Sequence, residues 1–175
     1  MRYKLERFIA RNSAKKQLSI PVSMPLVSMT FDDMDVAAFT TGAELVSEFG
    51  ARATFYVNGN LSSAYPETPV HYTSQDLHRL HKSGHEIACH GFAHHDYQGL
   101  SAEEVENDIR LNNDFIVGQG IPAPRNFAYP FGNLNQRIKR QALNHFDSCR
   151  GVTGGINQNI ADLGYLKAVP LYENR

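Results

Sequence analysis

"PLVSMTFDDMDVAAFTTGAELVSEFGARATFYV", residues 25–57, sets two strand-like runs on either side of a helical one. "PLVSMTF" (25–31) and "RATFYV" (52–57) have the length and the β-branched and aromatic content of strands. Between them "TGAELVSEFG" reads as a helix, with Thr41 and Glu44 as a capping box and Gly50 as the stop. Strands alternating with helices imply a mostly parallel sheet or barrel.

The alternation continues. "SQDLHRLHKSG" (74–84) is a short helix capped by Ser74, and "HEIAC" (85–89) is a strand. "SAEEVENDIRLNNDFIVGQG" (101–120) is the clearest helix, with a Ser101–Glu104 capping box. Its residues Ala102, Val105, Ile109 and Ile116 recur on one face at helical spacing. "NFAY" (126–129) is a strand, "LNQRIKRQALNH" (134–145) a helix, and further strands are expected near "FDSCR" (146–150) and at "LKAVPLY" (166–172). The long polar stretch 58–72, broken by Pro66 and Pro69, is a functional or mobile loop. Residues 1–24 are basic and weakly patterned, so they are expected to form an arm before one α/β domain over 25–175.

Composition narrows the function. With 42% hydrophobic and 20% charged residues among 175, the chain has the makeup of one folded domain. A net charge of −1 and a pI near 6.7 provide no field for nucleic acid or an acidic membrane. Two cysteines are too few for a disulfide framework, and no eighteen-residue apolar run or signal-peptide core occurs. A cytoplasmic location is the resulting expectation; the residues carry no sign of oligomeric state.

In parallel α/β folds, chemistry gathers beyond the C-terminal ends of the strands. Asp32 and Asp33 follow the first strand, "HGFAHHD" with His90, His94, His95 and Asp96 follows "HEIAC", and "PFG" follows "NFAY", whose start carries Arg125. Two histidines four residues apart plus a carboxylate suit a divalent metal such as zinc. Adjacent aspartates then divide the labour: one coordinates, and its neighbour takes a proton from water acidified by the metal. "HEIACH" is not the zinc-protease motif, because its fifth position is Cys89, which a strand would turn into the core. "GVTGG" (151–155) lacks the Lys-Ser/Thr of a phosphate-binding loop.

"TFDD" (30–33), "HGFAH" (90–94) and "RNFAYPFG" (125–132) resemble, in order and spacing, the first three motifs of the polysaccharide deacetylase (carbohydrate esterase, NodB-homology) family. The resemblance implies a distorted, incomplete (β/α) barrel and removal of N- or O-linked acetyl groups from a sugar or polysaccharide. It implies Asp32 as general base and Asp33, His90 and His94 as ligands of zinc, or of cobalt, nickel or ferrous iron. Arg125 would hold Asp32, the backbone N–H of Phe131 would face the oxyanion, and Tyr129 and Phe131 would line the sugar site. Met34 stands where the family usually has glycine, and the late Leu-x-His motif that supplies a general acid has no counterpart up to Arg175. The ending resembles members tied to surface-polysaccharide synthesis, in which that strand would follow. The alternative is a catalytically weak, metal-containing carbohydrate-binding protein of the same fold.

Overall fold

Helices and strands alternate from residue 29 to residue 150 of the computed structural model, which describes residues 2–21, 25–62 and 71–171. Pro66 and Pro69 of the expected loop lie outside the described residues. In chain order the elements are α1 (Arg2–Asn12), β1 (Gln17–Ile20), β2 (Met29–Asp32), α2 (Ala43–Glu48), β3 (Ala53–Val57), α3 (Ser74–Lys82), β4 (Glu86–Cys89), α4 (Ala102–Gly118), β5 (Asn126–Ala128), α5 (Gln136–His145), β6 (Ser148–Arg150) and β7 (Asn159–Asp162). They fall into two compact units. One comprises Leu26–His95 and Glu106–Pro124, the other Met1–Pro25, Asp96–Val105 and Arg125–Arg175.

In the first unit β2, β3 and β4 run parallel. Asp32 is in register with Tyr56, and Tyr56 with Ala88, so the residues just past that row leave one edge together. Behind the strands lies an apolar cluster built on Phe39, Val46, Phe55, Leu77, Leu80 and Ile116. Phe31 stacks on Phe55 with ring centroids 5.0 Å apart. The turn after β2 places both Asp33 (φ 59) and Met34 (φ 51) in the left-handed region. A glycine would adopt that conformation without strain, but Met34 is fully buried in the core, and its packing offsets the cost.

Helix starts differ from expectation where a nearer side chain satisfies the first free N–H groups. Asp35 Oδ1 accepts the Ala38 N–H at 3.0 Å, and a π-turn over Ala38–Gly42 leads into α2, so Thr41 caps nothing. In α3 the cap is Thr73, not Ser74, with Asp76 completing a capping box. The Ser101–Glu104 box before α4 forms as expected, with bonds of 2.7 and 3.2 Å.

His85 is buried between α2 and β3. Its Nδ1 accepts the Ala53 N–H at 3.1 Å, and its Nε2 lies 3.3 Å from Ser47 Oγ. Because the Ser47 hydroxyl donates to Ala43 O, its oxygen is the acceptor for an Nε2–H, and the ring is neutral. Burial lowers the His85 pKa, helped by the Arg52 and Arg79 cations. The unfolded chain therefore binds this proton more readily, and stability falls as pH drops below about 6.5. His85→Asn keeps an acceptor for Ala53 but cannot titrate, so its urea midpoint should vary less between pH 7.5 and 5.5 than that of the wild type.

In the second unit β5 and β6 run parallel, Ala128 opposite Arg150, while β1 and β7 pair antiparallel. Residues 2–21 contain α1 and β1. The strand expected at 166–172 is reduced, among the described residues, to one bridge between Leu166 and Arg150. Pro170 has no N–H to extend such a ladder, and pairing occurs earlier, at β7. Phe127 stacks on Phe146 and Tyr97 at 5.1 and 6.1 Å. Lys139 of α5 is fully buried and donates to Ala10 O at 2.7 Å, Ser13 O at 2.9 Å and the Asp162 carboxylate. Those bonds tie the end of α1 to β7.

Candidate metal centre

The parallel register explains how distant residues meet. Asp33 leaves the edge one residue after β2, and His90 leaves it directly after β4. His94 is turned back by two left-handed residues, Gly91 (φ 74) and His94 itself (φ 52). Asp33 Oδ1 consequently lies 3.5 Å from His90 Nε2 and 3.3 Å from His94 Nε2. The three ligand atoms are all within 4.8 Å of one another, the one such group among the described residues.

The donor set fits a metal. Two ligands each about 2.1 Å from a tetrahedral zinc stand about 3.4 Å apart, between the two observed spacings. Asp33 Oδ1 is shielded from solvent and accepts no hydrogen bond, an orphaned carboxylate oxygen aimed at two imidazoles. Such an atom is costly unless a cation satisfies it. His90 is almost wholly buried, whereas His94 and Asp33 are partly open, which leaves a side for an incoming ligand. Asp32 ends β2 beside Asp33, and its carbonyl accepts the Met34 N–H at 2.7 Å.

Cys89 and His95 stay outside this group. Cys89 is buried; its Sγ takes a bond from Asn112 at 3.1 Å, and burial pushes its thiol pKa up to about 12, so it is a core residue as expected. His95 is exposed.

The family model for polysaccharide deacetylase matches residues 20–147, most of the chain. The chain belongs to the polysaccharide deacetylase family. It is 27% identical over 130 residues to the peptidoglycan-N-acetylmuramic acid deacetylase PdaC of Bacillus subtilis (strain 168), covering 74% of this chain and 26% of that protein. It is 24% identical over 151 residues to a chitin deacetylase of Colletotrichum lindemuthianum, covering 82% of this chain and 55% of that one. The chain thus spans about a quarter to about half of these relatives' lengths. Among solved structures, the Streptococcus pyogenes deacetylase PplD in complex with acetate superposes with a TM-score of 0.75 at 18% identity, over 93% of this chain and 69% of that one. IcaB from Ammonifex degensii gives 0.76 at 17% identity, over 87% and 70%. The fold is the distorted, incomplete (β/α) barrel with mostly parallel strands.

The third family motif is arranged differently from the expectation. Arg125 precedes β5 and so stands at the strand end opposite "PFG". Its guanidinium is engaged by Asp147, at 2.7 Å from Nε and 2.6 Å from Nη2, in an exposed pair. The pair joins opposite charges at the starts of two parallel strands. Tyr129 is 1% exposed; its hydroxyl donates to Gly164 O at 2.9 Å and its ring meets Phe127 edge-on. It is a core side chain and has no face left for a sugar. Phe131 is exposed, in a left-handed turn (φ 57) closed by Gly132 N–H to Tyr129 O at 2.8 Å. Gly132 (φ 62) is required there, because a Cβ would sit 2.3 Å from a Val152 methyl.

Three buried polar residues around the metal loop escaped the sequence reading. Asn58 Nδ2 donates to the carbonyls of His90 and Gly91 at 2.6 and 3.1 Å. Asp108 of α4 accepts the N–H groups of Phe92 and Ala93 at 2.9 and 3.0 Å. Asn112, one turn on, accepts the Gly59 N–H and donates to Val57 O at 2.7 and 2.9 Å. The signal was present: Asp108 and Asn112 interrupt the apolar face of α4 at the spacing of Val105, Ile109 and Ile116.

Proposed function

We propose that this chain is a metal-dependent deacetylase that removes N- or O-linked acetyl groups from a sugar or polysaccharide. The observation that carries it is the convergence of Asp33 Oδ1 with the Nε2 atoms of His90 and His94, one residue from Asp32, in a member of this family. Asp33, His90 and His94 hold the divalent ion, zinc by its match to two imidazoles and a carboxylate. When bound, the ion supplies Lewis acidity toward the acetyl carbonyl and acidifies water. Asp32 takes the proton of the attacking water. The family's third motif implies an oxyanion-stabilising role for the Phe131 backbone N–H. Acetylated amino-sugar polymers are the substrate class, since the relatives named above act on peptidoglycan N-acetylmuramic acid and on chitin.

Metal analysis after mild dialysis should find about one equivalent of zinc per chain, lost in His90→Ala and in His94→Ala. Acetate release from N-acetylglucosamine oligomers and from an aryl acetate should then require that zinc. Protein that binds no metal at micromolar zinc would overturn the site. Protein that keeps zinc yet releases no acetate from either substrate would favour the carbohydrate-binding alternative.

A further inference from the structure

His94 sits in a backbone conformation that a histidine rarely adopts. Non-glycine residues in left-handed conformations cost about 1–3 kcal/mol and persist where the surroundings over-determine them. Here the surroundings are specific. The five-residue loop from His90 to His94 has its first two carbonyls held by Asn58 and its next two N–H groups held by both oxygens of Asp108. Asp108 is 7% exposed, on a helix whose next inward turn places Asn112, fully buried, against the end of β3. Four consecutive residues of the loop are therefore fixed through the backbone before any ligand arrives, and the imidazole that follows them inherits its direction.

Hydrogen bonds from backbone N–H groups to a carboxylate are strong because the acceptor is charged, and the burial of Asp108 limits competition from water. A carboxylate also matches two adjacent N–H groups with its two oxygens. An amide would turn an NH2 group toward one of those donors, and an alanine would leave both part-buried N–H groups without this partner. The metal site would then have to order its own loop on binding, and that ordering cost would come out of the affinity.

We propose that Asp108 is a positioning residue that sets metal affinity by pre-forming the His90–His94 loop. The proposal rests on the metal-site reading above. It concerns the chain's own loop and is measured without turnover. Zinc titration calorimetry, well below the melting temperature, compares wild type with Asp108→Ala, Asp108→Asn and Asp114→Ala. Asp114 is an exposed residue of the same helix, paired with Arg110. Outer residues that orient metal ligands typically govern affinity by about 10–100-fold. That weakening is expected in Asp108→Ala, with a loss of similar order in Asp108→Asn and none in Asp114→Ala. Hydrogen exchange of the metal-free wild type should show the Phe92 and Ala93 amides protected; Asp108→Ala should release both and Asp108→Asn one of them.

Affinity within twofold of wild type in folded Asp108→Ala or Asp108→Asn, even with a lowered melting temperature, would assign Asp108 to general stability and overturn the proposal. Freely exchanging Phe92 and Ala93 amides in the metal-free wild type would overturn it too, whether or not either variant folds. Wild-type protein that binds no zinc would instead overturn the metal-site reading itself, so the two failures are distinguishable.

Discussion

Asp32→Asn should retain zinc and lose about 10²–10⁴-fold in acetate release, the usual contribution of a positioned general acid or base. Asparagine has nearly the shape of aspartate but cannot take a proton at neutral pH. The Asp33 Oδ1–His90–His94 group does not include Asp32, so the ligand atoms keep their 3.3 and 3.5 Å spacings. Asp33→Asn should do the reverse. It removes the one charged ligand and leaves two neutral imidazoles, so zinc affinity should fall first and activity should recover as zinc is raised. Zinc titration and acetate release on the same preparations separate the two residues. Equal loss of zinc in both would show that the aspartates share coordination, and the assignment of Asp32 as the base would fail.

Lys139→Met should destabilise the chain by about 3–5 kcal/mol, the scale for removing one partner of a buried ion pair. Methionine fills the volume of the lysine stem, so the loss reports the ammonium and not a cavity. Without that ammonium, Ala10 O and Ser13 O lose their donor and the Asp162 carboxylate keeps only backbone partners. Burial alone would raise the Asp162 pKa. The Lys139 ammonium and the N–H groups of Lys15 and Gly164 outweigh burial and hold it below the ordinary value. A depressed carboxyl stabilises above its unfolded pKa of about 4 and loses that contribution as pH falls through its folded value. The cost of Lys139→Met should therefore start to shrink as pH falls below about 4 and go on shrinking until pH passes the lower folded value of Asp162. Urea unfolding from pH 7 down to about pH 2 checks both statements, and a cost that stays undiminished across that whole range would mean that packing, not charge, is what Lys139 contributes.

Helix and strand alternation was legible because its causes are local. Period, β-branched content and capping pairs act within a few residues, and Ser101 with Glu104 caps α4 where expected. Where two local caps competed, as with Thr73 against Ser74 or Asp35 against Thr41, backbone approach made the choice. The strand expected at 166–172 shows the other limit, since among the described residues its pairing with β6 stops at the Leu166–Arg150 bridge.

By themselves, the residues determined that carboxylates and imidazoles stand at the ends of parallel strands, because strand direction follows from alternation and the histidine spacing from four residues of chain. Tertiary structure alone decided that Tyr129 is core and that Arg125 pairs with Asp147, and it brought Asp33 Oδ1, the ligand that the family resemblance implied, to His90 and His94. It also decided that Asp108, sixteen residues from Phe92, clamps the His90–His94 loop. Side-chain direction at a strand end depends on one or two backbone dihedrals beyond the ladder, here the left-handed Asp33, Met34 and His94. Those dihedrals are held by burial and by hydrogen bonds from distant segments, which no local pattern records.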